Sequence, residues 1–205
     1  MRQDKFEHLG VSRETLERFG ELEALIRKWN PAINLISKST IEDIWERHIW
    51  DSAQIYPLAS TCGRWLDIGS GGGFPSLVVA IMQKQIPKAD RLMMIESDAR
   101  KSTFLKTVIR ELGLTAEVIV DRIELVPPAG ADVLTARALA PLTDLLKFSE
   151  RHSAAGGVCI FPKGAGWRKE VEEAQKLWSF SLVDHQSLTN EDARILEIRD
   201  IRNVE

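Results

Sequence analysis

Leu66-Asp67-Ile68-Gly69-Ser70-Gly71-Gly72-Gly73-Phe74-Pro75 is an apolar run that breaks into a loop rich in glycine. Residues Arg64–Gly69 read as a strand, and Phe74–Gln83 read as a helix with Pro75 in its first turn, where a missing N–H costs nothing. Glycines at 69, 71 and 73 let the backbone turn sharply and let a ligand lie against it without side-chain interference. The loop is not a phosphate-binding P-loop, because no Gly-Lys-Ser/Thr follows. A dinucleotide fingerprint places glycine or alanine at position 74, where this chain has Phe74.

Downstream of this loop, short apolar runs alternate with helical stretches. Strands are expected at Arg91–Ser97, Ala116–Val120, Asp132–Ala136 and Gly157–Phe161. Helices are expected at Ala99–Leu112, closed by Gly113, at Leu139–Arg151 and at Trp167–Trp178. Phe180–Gln186 and Ile195–Ile201 read as two late strands joined by the polar turn Thr189-Asn190-Glu191-Asp192. Strands that alternate with helices pair in parallel, with helices on both faces. Two final strands with no helix between them form an antiparallel hairpin. The expectation is an α/β fold: a doubly wound sheet of about seven strands ending in a C-terminal antiparallel hairpin.

Upstream the rhythm is helical. Leu16, Phe19, Leu22, Leu25, Ile26 and Trp29 recur at spacings of three and four, with Ser12 as the start signal and Pro31 as the stop. A second helix is expected from Ser39-Thr40 to Tyr56-Pro57. Residues 1–60 therefore read as an N-terminal helical extension and 61–205 as the sheet domain. Trp29, Trp45 and Trp65 fit core positions, while Trp50 and Trp167 are also available for stacking on bases.

Length and composition agree with one globular unit. The chain has 205 residues, 44% hydrophobic and 28% charged, with a net charge of −3. That balance argues against nucleic-acid binding by the whole surface, though not by a local basic patch. The longest unbroken apolar run, Leu77–Met82, is far short of the roughly 20 residues of a bilayer span. Met1–Lys5 leads into charged residues with no signal-peptide pattern, so a cytoplasmic protein is expected. Cys62 and Cys159 have no metal-ligand spacing and read as reduced thiols. No metal site is expected, and nothing suggests an obligate oligomer, so a monomer is expected.

Ligands in doubly wound sheets sit beyond the carboxyl ends of the strands. Glu96, at the end of the second strand, can accept both hydroxyls of a ribose. Arg122-Ile123-Glu124 follow the third strand: Glu124 can address a purine base while Ile123 packs on its face. Arg137 follows the fourth strand, within reach of a cofactor carboxylate or a substrate base. Arg100, Lys101, Lys106 and Arg110 on one helix, and Lys163, Arg168 and Lys169 after the fifth strand, are the basic residues available to RNA. His48 and Asp51, three apart on the second helix, either close the helical extension over the pocket or simply pair across it.

The loop, written Asp-x-Gly-x-Gly-x-Gly, resembles motif I of class I S-adenosylmethionine-dependent methyltransferases. The ordered set is more specific. Asn34-Leu35, Arg47-His48-Ile49-Trp50-Asp51-Ser52, Asp67–Pro75, Glu96-Ser97, Lys101 with Phe104-Leu105, Arg122-Ile123-Glu124, Arg137-Ala138 and Lys163-Gly164 together resemble the bacterial ribosomal RNA small subunit methyltransferase G family, also called glucose-inhibited division protein B. The resemblance spans about residues 20 to 200. It implies a class I Rossmann-like methyltransferase fold with S-adenosylmethionine as cofactor. It also implies methylation of N7 of one guanosine in 16S rRNA, nucleotide 527 in the usual numbering, within the small ribosomal subunit or an assembly intermediate. The family's cofactor contacts fall on Gly69, Phe74, Ile123, Glu124 and Arg137, beside Asp67, Gly71, Gly73 and Glu96 from the loop logic. Ser76, Glu96 and Arg100 depart from the residues commonest in the family, without altering the chemistry.

That chemistry suits these residues. Guanine N7 carries an in-plane lone pair at neutral pH, so no general base is required; positioning carries the catalysis. Arg137 and Lys163 are the candidates for orienting the guanine. Two other readings stay open: a methyltransferase for a small molecule or protein, and a non-catalytic RNA-binding or assembly factor that keeps the fold.

Overall fold

The computed structural model describes residues 9–60 and 62–204. Met1–Lys5 and His8 lie outside the described residues. The first helix, α1 (Arg13–Ile33), starts as its sequence directs: the Ser12 hydroxyl caps it by accepting the Thr15 N–H. It runs past Pro31, which was expected to stop it. Proline this close to the end removes a single intrahelical bond, and closure falls to Asn34, left-handed at φ 49 with its N–H donating to Asn30. Asparagine is one of the few residues that adopts this conformation readily.

The expected second helix is broken. A 3-10 turn at Lys38–Thr40 is followed by a π-helical stretch at Trp45–Trp50, a short α2 (Asp51–Ala53) and a further 3-10 turn at Tyr56–Leu58. Wider turns of this kind concentrate at functional sites, and this one carries Arg47 and His48 and is capped by Asp51.

The strands are β1 (Cys62–Ile68), β2 (Ala89–Ile95), β3 (Glu117–Ile119), β4 (Ala131–Thr135), β5 (Ser153–Lys163), β6 (Trp178–Gln186) and β7 (Arg194–Asn203). They form one seven-stranded sheet in the order β3-β2-β1-β4-β5-β7-β6. The β1–β5 strands are parallel, and β7 inserts antiparallel between β5 and β6. The chain switches direction along the sheet between β1 and β4, so the carboxyl ends of these strands flank the crevice where such folds bind ligands. The intervening helices are α3 (Ser76–Gln83), α4 (Ala99–Glu111), α5 (Leu142–His152) and α6 (Trp167–Ala174).

β5 begins earlier than its glycines suggested. Ala131 pairs with Ser153 and Val133 with Val158, so the extra residues of β5 bulge out at Gly156 and Gly157. Gly156 sits at φ 76, and a Cβ on Gly157 would meet the Ala131 carbonyl at 2.8 Å. These glycines therefore mark a bulge within the strand, not a turn before it.

Two cores sandwich the sheet. One joins Phe19, Leu22 and Ile26 of α1 to Trp65 of β1, Leu77 of α3 and Phe104 of α4. The helical extension thus shares a core with one sheet face. The other joins Leu134, Phe161 and Leu196 to Leu145 of α5 and Trp167 and Val171 of α6. Trp50, Trp167 and Trp178 are buried along with Trp65, whereas Trp29 and Trp45 lie half-buried at the edge of the first core. None of the buried four is presented for stacking on a base. Among the described residues, no helix is long and apolar enough to cross a membrane.

Candidate functional site

The loop after β1 turns through three left-handed glycines, Gly69 at φ 65, Gly71 at φ 54 and Gly73 at φ 87. They serve two ends. A Cβ on Gly69 would strike Leu139 at 2.5 Å and one on Gly73 would strike Leu77 at 2.2 Å, so these two let the loop pack against its neighbours. At Gly71 the nearest atom to an added Cβ is the Gly69 carbonyl at 3.7 Å, so a side chain there would project into open space. Gly72, unremarked in the sequence, is equally constrained: its Cβ would lie 2.6 Å from the Leu35 carbonyl. The chain that follows α1 passes directly over the loop.

The open space beside Gly71 is a 410 Å³ cleft. Glu96 lines it and is held rigidly, with its Oε2 accepting the Gly71 N–H and its Oε1 the Asp98 N–H, both at 2.7 Å. Gly69, Phe74, Lys101, Ile123, Arg137, Leu139 and His48 complete the lining relevant here. The expected residues Gly69, Gly71, Phe74, Glu96, Ile123 and Arg137 thus converge on one cleft.

Arg137 is the hub of the site. Its guanidinium donates to the Arg47 carbonyl and to Asp51 Oδ2, each at 3.1 Å, and to His48 Nδ1 at 2.7 Å. A guanidinium can only donate, so His48 Nδ1 accepts and its Nε2–H donates to the Thr40 hydroxyl at 2.8 Å. Burial and the adjacent Arg137 and Arg47 push the His48 pKa down to about 3, which keeps the ring neutral. Phe74 lies under both groups, 5.0 Å from the His48 ring and 5.1 Å from the guanidinium. Asp51 Oδ1 accepts from Gln54 and from Thr189 in the β6–β7 turn. His48 and Asp51 therefore do face one way, and Arg137 ties both to the end of β4.

A second, larger cavity of 710 Å³ adjoins the cleft. His48, Arg137, Ala138 and Leu139 line both and form the shared wall. The rest of its lining includes Lys163 at the end of β5, Glu170 at the start of α6, Asn190 in the β6–β7 turn and Arg194 at the start of β7.

Several expected residues lie elsewhere. Asp67 is buried beneath the loop and lines neither cavity. Gly73 packs inside, and Glu124 is exposed outside both linings. Arg100, Lys106 and Arg168 are exposed, Arg168 lying over the Trp167 ring. Lys163, expected as a cation free to meet RNA, has its amine held by the Ala140 carbonyl at 3.0 Å and Glu170 Oε2 at 2.7 Å. Only a carboxylate reachable from the next helix explains that; Glu170, seven residues on, was not singled out in the sequence.

Asp67 gives a pH signature. Its Oδ1 accepts from the Thr135 hydroxyl at 2.8 Å, and its Oδ2 is buried without a hydrogen-bond partner. Burial pushes its pKa up to about 6, against the pull of the Ser70 and Thr135 hydroxyls. As pH rises from about 4 to about 6 the unfolded chain releases this proton first, so stability falls across that window and then stays lowered. Asp67→Asn lacks this loss. The stability of Asp67→Asn relative to the parent protein is expected to rise by up to about 3 kcal/mol between pH 4 and pH 6. Urea unfolding of both proteins at several pH values reads it, and a constant difference would place the titration elsewhere.

Comparison with known proteins follows the same lines. The family model described as rRNA small subunit methyltransferase G (GidB) matches residues 15–198. Proteins named ribosomal RNA small subunit methyltransferase G are 48% identical in Ruegeria pomeroyi, over 96% of both chains, and 47% identical in Cereibacter sphaeroides, over the whole of both. Among solved structures, P. horikoshii TYW2 in complex with MeSAdo superposes with a TM-score of 0.53 at 11% identity, covering 76% of this chain and 62% of that one. The N-methyltransferase NodS of Bradyrhizobium japonicum gives 0.50 at 14% identity, covering 77% of this chain and 94% of that one. At such identities the likeness is one of fold, the Rossmann-like fold of class I methyltransferases.

Proposed function

The chain belongs to the rRNA small subunit methyltransferase G family, and from that premise we propose that it methylates N7 of a single guanosine in 16S rRNA, at nucleotide 527 in the usual numbering. The coarser activity comes with the family: S-adenosylmethionine-dependent methylation of 16S rRNA. The observation that carries the finer reading is the pair of adjoining cavities with one shared wall, at the switch point of the sheet.

The 410 Å³ cleft fits the cofactor. It offers a backbone free of side chains at Gly71 and a carboxylate whose oxygens are already oriented by two N–H groups. Glu96 would hold the ribose hydroxyls, Ile123 the adenine face, and Phe74 the side of the shared wall. S-adenosylmethionine supplies a methyl group made electrophilic by the sulfonium. Arg137 holds the wall between cofactor and substrate, and neutral His48 takes no proton from either. Asp67 supports the loop from below.

Guanine N7 needs only a clear line of approach, because its lone pair is available without deprotonation. The residues therefore act by position and by excluding water. In A-form RNA the N7 edge faces a groove that side chains cannot enter, so the nucleotide must come from a loop or leave its stack. The 710 Å³ cavity is large enough for such an extruded nucleoside. Lys101 at the cleft, with Arg100 and Lys106 along α4 and Arg168 on α6, would meet the surrounding phosphates.

The test uses labelled cofactor with small-subunit RNA or particles, followed by borohydride–aniline cleavage at 7-methylguanosine. One cleavage site in a loop is expected. Label incorporated without any cleavage would leave the RNA methyltransferase and remove N7. A second expectation concerns Lys163. Lys163→Ala is expected to lower RNA methylation about tenfold or more, with cofactor affinity changed less than about threefold, since the amine lines only the larger cavity. The reverse split would move Lys163 to the cofactor side.

A further inference from the structure

Among the described residues, Glu170 is the one carboxylate of the larger cavity left with a free oxygen. It stands in the first turn of α6, and its Oε2 accepts the Leu142 N–H at 2.9 Å and the Lys163 amine at 2.7 Å. Its Oε1 makes no hydrogen bond among the described residues, and a third of the side chain is exposed. The other acidic side chain of the cavity, Asp51, has both oxygens filled by Arg137, Gln54 and Thr189.

We propose that Glu170 reads the Watson–Crick edge of the target base, accepting from guanine N1–H and the exocyclic N2 amine, and so makes the larger cavity selective for guanine. This rests on the N7 reading above. Guanine places N7 and O6 on one edge and its N1–H and N2 donors on the opposite side. With N7 at the wall shared with the cofactor cleft, the donors turn away from that wall, and Glu170 lines the cavity outside it. An ionised carboxylate only accepts, so it pairs with guanine's two donors and repels the N1 acceptor of adenine. A site built around a substrate N–H rejects analogues lacking it far better than an apolar pocket does.

The neighbours of Glu170 suit it to this task. Lys163 and the Leu142 N–H fix one oxygen, so the other is aimed before the base arrives. Lys163 also offsets the charge that the carboxylate brings into the cavity. The purine gains positive charge as N7 acquires its methyl group, which strengthens N1–H as a donor. The contact to Glu170 therefore tightens on the way to the transition state, the condition for an interaction to raise the rate.

The test replaces the target guanosine of the RNA substrate with inosine, which keeps N7, O6 and N1–H but lacks the N2 amine. For the parent protein, kcat/KM is expected to fall roughly 10- to 100-fold on inosine. For Glu170→Gln, kcat/KM on guanosine is expected to fall at least about tenfold, while the guanosine-to-inosine ratio shrinks to within about threefold. S-adenosylhomocysteine affinity, measured by calorimetry without RNA, is expected to be unchanged in the variant, because Glu170 does not line the cofactor cleft. A parent protein that treats inosine like guanosine overturns the proposal even if the variant fails to fold. So does a variant that keeps the parental ratio. If the parent RNA shows no borohydride–aniline cleavage, the N7 reading itself has failed and the role of Glu170 falls with it. Cleavage without base discrimination overturns Glu170 alone.

Discussion

Gly71→Val is expected to give a folded protein whose affinity for S-adenosylmethionine is at least about 100-fold weaker, whereas Gly73→Val is expected not to fold. Both glycines are left-handed, so valine is strained at either, by roughly 1–2 kcal/mol. Their surroundings separate them. Around Gly71 the nearest atom to a new Cβ is 3.7 Å away, and a valine there would occupy the cleft next to Glu96 without displacing the core. Around Gly73 a new Cβ falls 2.2 Å from Leu77 and 3.1 Å from Leu105, both fully buried. Core overpacking of this kind costs about 1–3 kcal/mol and often more, added to the backbone strain. Circular dichroism separates the two variants, and calorimetry with S-adenosylhomocysteine reads the affinity of the first. Undiminished binding by Gly71→Val would show that the cofactor does not lie against this turn.

Arg137→Ala is expected to lower kcat by more than about 100-fold and to reduce stability by roughly 3 kcal/mol. The substitution removes three hydrogen bonds at once and leaves half-buried Asp51 without its cation and His48 Nδ1 without its donor. The Arg47–Asp51 segment then loses its tie to the end of β4, and the wall between the two cavities loosens. For a chain of this size the stability loss corresponds to a fall of roughly 6–12 °C in Tm. Arg137→Lys keeps the charge but cannot bridge a carbonyl, a carboxylate and an imidazole together, so it is expected to restore part of the Tm and little of the rate. Arg137→Ala with full activity would reduce Arg137 to a strut.

The sheet was legible because its signal is local. Each strand is a short apolar run, each helix has its own periodicity, and the absence of a helix between Phe180–Gln186 and Ile195–Ile201 was enough to expect the hairpin. What the sequence hid depends on contacts between distant residues. Nothing near Gly156 and Gly157 shows that they form a bulge, because the reason is the Ala131 carbonyl on another strand. The break in the second helix likewise lacks a local breaker. The segment is shaped by what it must reach, with His48 and Asp51 meeting Arg137, some ninety residues away in the chain.

The site divides the same way. Glu96 and the glycine loop were found because position relative to a strand end is a sequence property. Asp67 looked equivalent to Glu96, yet it is buried beneath the loop, since its place within β1 points it at Thr135. Glu170 was invisible because its significance comes from Lys163 and Leu142, which only the packing of α6 against the end of β5 and the start of α5 brings to it. Gly72 carries no sequence signal that sets it apart from its neighbours, although the Leu35 carbonyl leaves it no room for a side chain.

The most direct measurement is a crystal structure of the protein grown with S-adenosylhomocysteine. The ribose hydroxyls are expected within hydrogen-bond distance of Glu96, with the adenine against Ile123 and the homocysteine sulfur turned toward the wall formed by Arg137 and Leu139. A ligand seated in the 710 Å³ cavity beside Lys163 and Glu170, with no ligand atom within hydrogen-bond distance of Glu96, would contradict the assignment of both cavities.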